Sequence, residues 1–285
     1  MAFEYIRSET RDRVLVLTMS DPKTRNALGS QMAAELVQEF DRFEADPNLR
    51  VLVVTGADPS FCSGANVRNF DRTIQEREQA AGSREPTPLE QLDPLYHARI
   101  TSRESDLDRG VIRVVRRLVY MQKPTIAAVN GHAYGIGHGI ALSCDFRIAS
   151  ERGIFCEAFV RNGLIAGDGS SWQLPKIIGL SNTLWMQFTG DPVNAQDALR
   201  MGLCNRVVPH DTLMDETMEV AEKLASGATY AMALTKMMVH RGYTQSFPDH
   251  LAEASRAQDL ARASQDHREG VRAFLEKRKP NFTGR

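Results

Sequence analysis

The residues from Pro124 to Asp145, PTIAAVNGHAYGIGHGIALSCD, limit the fold more than any other stretch of the chain. Thr125 to Val129 is a short apolar run of strand length, which reads as a strand covered on both faces. Asn130-Gly131 makes a tight turn, and Gly135-Ile136-Gly137-His138-Gly139 then opens a helix through a glycine-broken run. Glycine lets a ligand approach the backbone closely. A helix start adds unpaired N–H groups and the positive end of the macrodipole. That combination suits a negative oxygen.

The flanking sequence supplies a sheet around this strand. Val14 to Met19 is a β-branched and leucine run that ends at Asp21-Pro22. Met32, Leu36, Phe40 and Phe43 follow at helical spacing, with Ser30 expected as the N-cap, and Asp46-Pro47-Asn48 closes that helix before the strand Val51 to Thr55. Strand, helix, strand predicts a right-handed crossover and a parallel sheet. Gly56 to Val67 is a loop of small residues after a strand. From Asp71 to Asp108 the chain is polar and uneven, an insertion that reads either as a lid or as a solvated loop. A helix is expected over Arg109 to Met121, its stripe formed by Val111, Val114, Val115, Leu118 and Val119.

Beyond Asp145 a strand is expected at Phe146 to Ala149, followed by Phe155 to Phe159 and a second small-residue loop, Gly163 to Ser171, entering a helix. Asn194 starts another helix, Gly202-Leu203 closes it, and Asn205 to Val208 is a short strand. From Asp211 onward the pattern is helical, with Val220, Leu224, Leu234, Met237, Met238, Val271, Phe274 and Leu275 as its apolar positions. Such a tail cannot bury those faces alone, so it is expected to pack on the core or on another subunit.

Charge and apolar content exclude several classes. With 35 basic and 36 acidic side chains the net charge is −1, so no basic footprint for nucleic acid is present. No apolar run approaches the ~20 residues of a membrane span, and the charged start MAFEYIRSETRDR lacks a signal-peptide core. Cys62, Cys144, Cys156 and Cys204 form no CxxC pair and read as buried reduced thiols, so a cytoplasmic protein is expected. His97, His210, His240, His250 and His267 show no metal-ligand spacing, and no metal is expected.

Two turns of small residues, Ser63-Gly64-Ala65 and Tyr134-Gly135-Ile136-Gly137, can aim two backbone N–H groups at one point. Such an oxyanion hole stabilises charge developing at a carbonyl, and removing one donor costs ~3 kcal/mol. Lys23-Thr24-Arg25-Asn26-Ala27-Leu28, Phe61 to Val67, Lys123 to Asp145, Gly163 to Gly169 and Arg268 to Pro280 together resemble, in order, the enoyl-CoA hydratase/isomerase (crotonase) superfamily. The resemblance spans nearly the whole chain apart from the insertion. It implies an α/β fold, a crotonase-like spiral of ββα units over residues 1–208 with 71–108 as a variable insertion, and a C-terminal helical trimerisation region over 209–285. It further implies an acyl-CoA thioester as substrate, no cofactor beyond the CoA carried by that substrate, and a homotrimer or dimer of trimers. By the same resemblance the N–H groups of Ala65 and Ile136 are the oxyanion donors. Lys23, Thr24 and Arg25 would line the CoA channel with Asn66 and Val67. Lys277 would lie near the CoA phosphates, or else be a solvated helix charge. Asn66 stands where the family usually has Asp.

The chain departs from the family's hydratases at two positions. Their two water-handling glutamates would fall at Gly139 and Phe159, and neither residue transfers protons. Asp168 is either a helix cap or a replacement catalytic carboxyl, since members with other reactions carry an Asp at or beside this position. Glu157 lies two residues before Phe159, so strand alternation would put both on one face; it is either a second acid–base group or an ordinary ion pair. His132 and Tyr134 flank the oxyanion turn and either shape the acyl pocket together with Phe159 or pack structurally. His138 reads as a packed, hydrogen-bonded histidine. Cys62 has no visible partner base, and Glu104, Asp106 and Asp108 of the insertion are loose alternatives for an acid.

These features point to an enzyme that forms a thioester enolate, by hydration with an unusual base, by double-bond isomerisation or by hydrolytic C–C cleavage. A non-catalytic acyl-CoA binder is the alternative class. A nicotinamide enzyme fits poorly, because the glycine run is GxGxG and no acidic residue ends a second strand ~20 residues on.

Overall fold

A computed structural model describes residues 3–65 and 110–285. Asn66, Val67, the insertion expected over 71–108 and its carboxyls lie outside the described residues. The chain begins with the hairpin β1 (Ile6–Arg11) and β2 (Val14–Met19), followed by a short 3-10 turn at Pro22–Thr24, α1 (Ser30–Ala45), β3 (Val51–Gly56) and β4 (Ser60–Cys62). Next come α2 (Ile112–Tyr120), β5 (Thr125–Val129), β6 (His132–Tyr134), α3 (Ile136–Ser143), β7 (Phe146–Ser150) and β8 (Ile154–Cys156). A 3-10 turn at Ala158–Asn162 leads to α4 (Ser170–Thr189), β9 (Val193–Asn194), α5 (Ala195–Met201) and β10 (Arg206–Val208). Four helices close the chain: α6 (Leu213–Ala225), α7 (Thr229–Gly242), α8 (Phe247–Ala263) and α9 (Gln265–Leu275). Among the described residues no helix is long and apolar enough to cross a membrane.

Six strands form the main sheet in the order β1-β2-β3-β5-β7-β10, parallel except for the β1–β2 hairpin. β2, β3 and β5 are buried along almost their whole length, yet their residues still alternate between two cores. Val14, Val16, Val51, Val53, Ile126 and Ala128 face Leu213, Met218, Ala221 and Ala225 of α6. Leu15, Leu17, Leu52, Val54, Ala127 and Val129 face the larger core with Leu36 and Phe40 of α1. Burying each large side chain of this kind contributes roughly 1.5–3 kcal/mol.

The second sheet, β4-β6-β8-β9, positions the site. Its first three strands are parallel and only β9 runs against them. They therefore end at one edge, where β4 releases Ser63-Gly64-Ala65, β6 releases the glycine turn and β8 releases Glu157. In open parallel sheets the carboxyl ends of strands are where ligands sit. Two local expectations are corrected: Gly29 rather than Ser30 caps α1, and α2 begins at Ile112 rather than Arg109.

Candidate active site

Two glycines let the turns after β4 and β6 meet. Gly64 has φ +106° and Gly135 has φ +51°, both in the region that side chains disfavour. A Cβ on Gly64 would lie 3.0 Å from the Tyr134 carbonyl oxygen, and one on Gly137 would lie 2.4 Å from that of Cys62. No side chain fits between the loops. Ala65 follows Gly64 and pairs with Leu28 as an isolated parallel bridge, with the Leu28 N–H donating to the Gly64 carbonyl at 2.8 Å. Ile136 is the first residue of α3, so its N–H precedes any intrahelical acceptor.

The Lys23–Arg25 segment is stitched to the same loop. Ser63 Oγ donates to the Thr24 carbonyl at 2.8 Å, and the Ser63 N–H donates to the Arg25 carbonyl at 3.1 Å. Arg25 and Asn26 both take positive φ. The buried Asn26 amide holds that kink by donating to the Ala57 and Ser60 carbonyls at 2.7 and 2.6 Å. Lys23 and Arg25 stay exposed beside the Ala65 loop.

Asp168 comes to α3 from the loop before α4. A Cβ on Gly139 would fall 2.2 Å from Asp168 Oδ2 and 2.9 Å from its Cγ. The Asp168 carboxyl thus occupies the volume that any side chain at position 139 would need. Its Oδ1 accepts from the Ser170 N–H at 3.1 Å and the Ser170 hydroxyl at 2.8 Å, whereas Oδ2 is buried without a hydrogen-bond partner among the described residues. Burial, then repulsion from Glu157, pushes this carboxyl above the ordinary aspartate range; the Ser170 bonds and His138 oppose the shift without cancelling it. Asp168 lines a cavity of about 620 Å³ with Val115, Val119 and Tyr120 of α2 and Trp172 of α4.

Glu157 sits differently. β8 ends at Cys156, so strand alternation does not relate Glu157 to Phe159 as the sequence suggested; both belong to the 3-10 turn and its start. The fully buried Glu157 carboxylate accepts from His138 Nδ1 at 2.8 Å and from Gln187 Nε2 at 3.2 Å. It is not among the described residues lining the cavity beside Asp168. His138 is packed edge-on against Phe155, ring centroids 5.7 Å apart.

Phe159 packs over the glycine turn after β6, its ring 3.7 Å from a Cβ built on Gly135. His132 and Tyr134 share one face of β6 and meet edge to face at 5.4 Å. Burial raises the Tyr134 hydroxyl above its usual range, with the Cys156 thiol beside it. Lys277 is exposed just after α9, and this single chain does not bring it to the Asp168 cavity. Cys62, buried in the β4 turn, has its thiol pushed up to about 11 by desolvation, far from nucleophilic readiness. All four cysteines are free and buried, and among the described residues no cluster of His, Cys, Asp or Glu could hold a metal.

Sequence reasoning did not single out Ser170, Trp172, Gln173 or Gln187. Ser170 lies within the second small-residue loop and Trp172 just past it, in a stretch whose tertiary neighbours no periodicity reveals. Val115 and Val119 were visible only as members of an apolar stripe, which reads as packing.

A family model described as enoyl-CoA hydratase/isomerase matches residues 9–92 and 90–285. The chain is 34% identical over 288 residues to the 1,2-epoxyphenylacetyl-CoA isomerase of Escherichia coli strain K12, covering 99% of each. It is 32% identical over 283 residues to a crotonyl-CoA hydratase from Syntrophomonas wolfei, again covering 99% of each. The crystal structure of an enoyl-CoA hydratase from Mycobacterium tuberculosis H37Rv superposes with a TM-score of 0.82 at 28% identity, covering 99% of both chains.

Proposed function

The chain belongs to the enoyl-CoA hydratase/isomerase family, and from that premise we propose that it shifts a double bond in an acyl-CoA thioester with Asp168 as its one proton carrier. The N–H groups of Ala65 and Ile136 would hold the thioester oxygen. The Asp168 carboxylate takes a proton from Cα of a β,γ-enoyl thioester, and the electron pair moves onto the thioester oxygen as a dienolate. The protonated Asp168 then returns the proton to Cγ, leaving an α,β-enoyl thioester with no net change in composition. One carboxyl serves both ends of that transfer.

The observation that carries this reading is the Asp168 carboxyl lying over Gly139 with one oxygen unpartnered. Hydration by the family's usual route needs two acid–base groups about the double bond. Here the positions at which resemblance expects them are glycine and a phenylalanine, and the nearby Glu157 is consumed by His138 and Gln187. A relative at 34% identity named 1,2-epoxyphenylacetyl-CoA isomerase supports isomerisation of a CoA thioester as the reaction type. A wild-type enzyme that converts β,γ-enoyl-CoA to the α,β isomer, with Asp168→Asn inactive, would bear it out. Turnover confined to water addition would refute it.

Lys23, Thr24 and Arg25 serve in this reading as the rim of the CoA channel, Phe159, His132 and Tyr134 as walls near the oxyanion turn, and Lys277 as a phosphate contact contributed within a homotrimer or dimer of trimers. Self-association is supported by apolar side chains left outside: Leu180, Trp185 and Phe188 on α4 and Phe274 and Leu275 at the chain end are each 65–83% exposed. Sedimentation at micromolar concentration would reveal a monomer if this part is mistaken.

A further inference from the structure

A second cavity, of about 670 Å³, lies between α3 and α4 on one side and α7 on the other. Its walls are largely apolar, with Leu142, Phe146, Ile177, Leu224, Met232 and Val239 among them. It shares Val119, Trp172 and Gln173 with the cavity beside Asp168. The two spaces therefore meet at one wall, a single turn into α4.

The charges in this second cavity do not balance. Asp145 accepts from Lys236 Nζ at 2.8 Å and from the Thr125 N–H at 2.8 Å, so that pair is closed. The buried Arg147 guanidinium donates to the Leu203 and Cys144 carbonyls at 2.6 and 2.8 Å. His240 is held below the usual histidine range by burial and by Lys236, which favours its neutral ring and leaves it unable to serve as a counter-charge. Lys176 is what remains. Its Nζ is buried with no hydrogen-bond partner among the described residues, lying 2.7 Å above the Trp172 ring centroid and 4.9 Å from that of Tyr243. Desolvation depresses this ammonium below the ordinary lysine range, and no carboxylate among the described residues opposes that shift.

We propose that Lys176 receives a carboxylate at the far end of the substrate's acyl group, so that the preferred thioesters carry a medium-length apolar chain ending in an anion. Trp172 and Lys176 are one helical turn apart, and Asp168 precedes Trp172 by the same spacing in sequence. A chain starting beside Asp168, in the loop before α4, passes Trp172 and then runs about 6 Å along the helix to reach the ammonium. The terminal carboxylate supplies the counter-charge that the described residues do not, and the methylenes lie along the apolar walls. A methyl-terminated chain of equal length fills the same space but leaves the ammonium unpaired, which costs affinity.

This assignment rests on the acyl-CoA reading of the Asp168 site, and the test separates the two. A β,γ-decenoyl-CoA and its decenedioyl counterpart, identical but for methyl against carboxylate at the chain end, are compared with wild type, Lys176→Met and Lys176→Arg. The expected result is at least a tenfold preference in kcat/KM for the dioyl substrate with wild type, retained in large part by Lys176→Arg. In Lys176→Met the ratio falls to within about twofold of unity. Equal kcat/KM for both substrates with wild type, or a preference that survives Lys176→Met, overturns it. If neither thioester turns over, equilibrium binding of the same pair decides: tighter dioyl binding that Lys176→Met erases upholds the assignment although the isomerase reading falls, and equal binding overturns it. Free decanedioate that binds through Lys176 without competing with the thioester also overturns it, because the cavity would then serve a separate ligand.

Discussion

Asp168 and Glu157 are both buried carboxyls from the connection between β8 and α4, both close to α3, and they are held in opposite ways. Each Glu157 oxygen has a side-chain donor, His138 on one and Gln187 on the other. Among the described residues Asp168 has donors on one oxygen only, from Ser170, and its other oxygen stands over Gly139 unpaired. A fully bonded carboxylate is fixed and occupied. An orphaned one beside a cavity is kept at a cost in stability, which is the usual mark of a group retained for chemistry. The pair also interacts, since the charge on Glu157 helps hold Asp168 above the normal aspartate range. In the proposed reaction that contrast gives proton transfer to Asp168 and electrostatic tuning to Glu157.

The largest effect expected is from Asp168→Asn, which keeps the acceptor for Ser170 but cannot carry a proton. It should lower kcat by about 10²–10⁴, the ordinary contribution of general acid–base catalysis. The same change should raise thermal stability, and more at pH 8 than at pH 5. A carboxyl whose folded pKa is raised contributes most below its unfolded pKa and loses that contribution as pH rises through the folded one. Asn removes the cost of the buried charge, so the gap between the two Tm values should widen upward in pH. A gap that narrows would show that Asp168 is satisfied in a way the geometry does not indicate.

Gly139→Ala tests the volume that Asp168 fills. With 2.2 Å between the added carbon and Oδ2, something must move, and a cost of about 1–3 kcal/mol in denaturant unfolding is expected. Most of that cost should vanish in an Asp168→Gly background, where the two changes are not additive. Equal cost in both backgrounds would mean that α3, not Asp168, is what Gly139 protects.

Glu157→Gln should act more gently on the reaction. The variant can still accept from His138, and kcat at neutral pH should fall by no more than about tenfold. The acidic limb of kcat/KM should move to lower pH, because the repulsion that raises the Asp168 carboxyl is gone. A catalytic Glu157 would instead lose activity as severely as Asp168→Asn does. Smallest of all is the expected thiol reactivity: Cys62, Cys156 and Cys204 are pushed up to about 11 and Cys144 to about 12, so native alkylation near pH 8 should be slow until the chain unfolds.

Much of this arrangement was legible in the residues. The apolar run Thr125–Val129 is β5 to the residue, and the glycine run does open a helix. Asn194 and Gly202 cap α5 as their types dictate. Short elements were not legible. β4, β6 and β8 have three residues each, too few for alternation to register, although their common edge organises the site. β1 was missed because only Ile6 of its residues is buried, leaving a polar edge strand without a pattern. The vacancy at Gly139 could be read as a missing acid, but not that the Asp168 carboxyl fills the same space from a distant loop. Nothing in the sequence singles out Lys176; its character comes from the fold, which sets two aromatic rings and, among the described residues, no carboxylate beside it.

The most direct test of the central assignment is mass-resolved turnover of a β,γ-enoyl-CoA in heavy-oxygen water with wild type and Asp168→Asn. The account predicts an α,β-enoyl product of unchanged composition from wild type and almost none from the variant. A product that has gained labelled water, or isomerisation that persists without the Asp168 carboxyl, would contradict it.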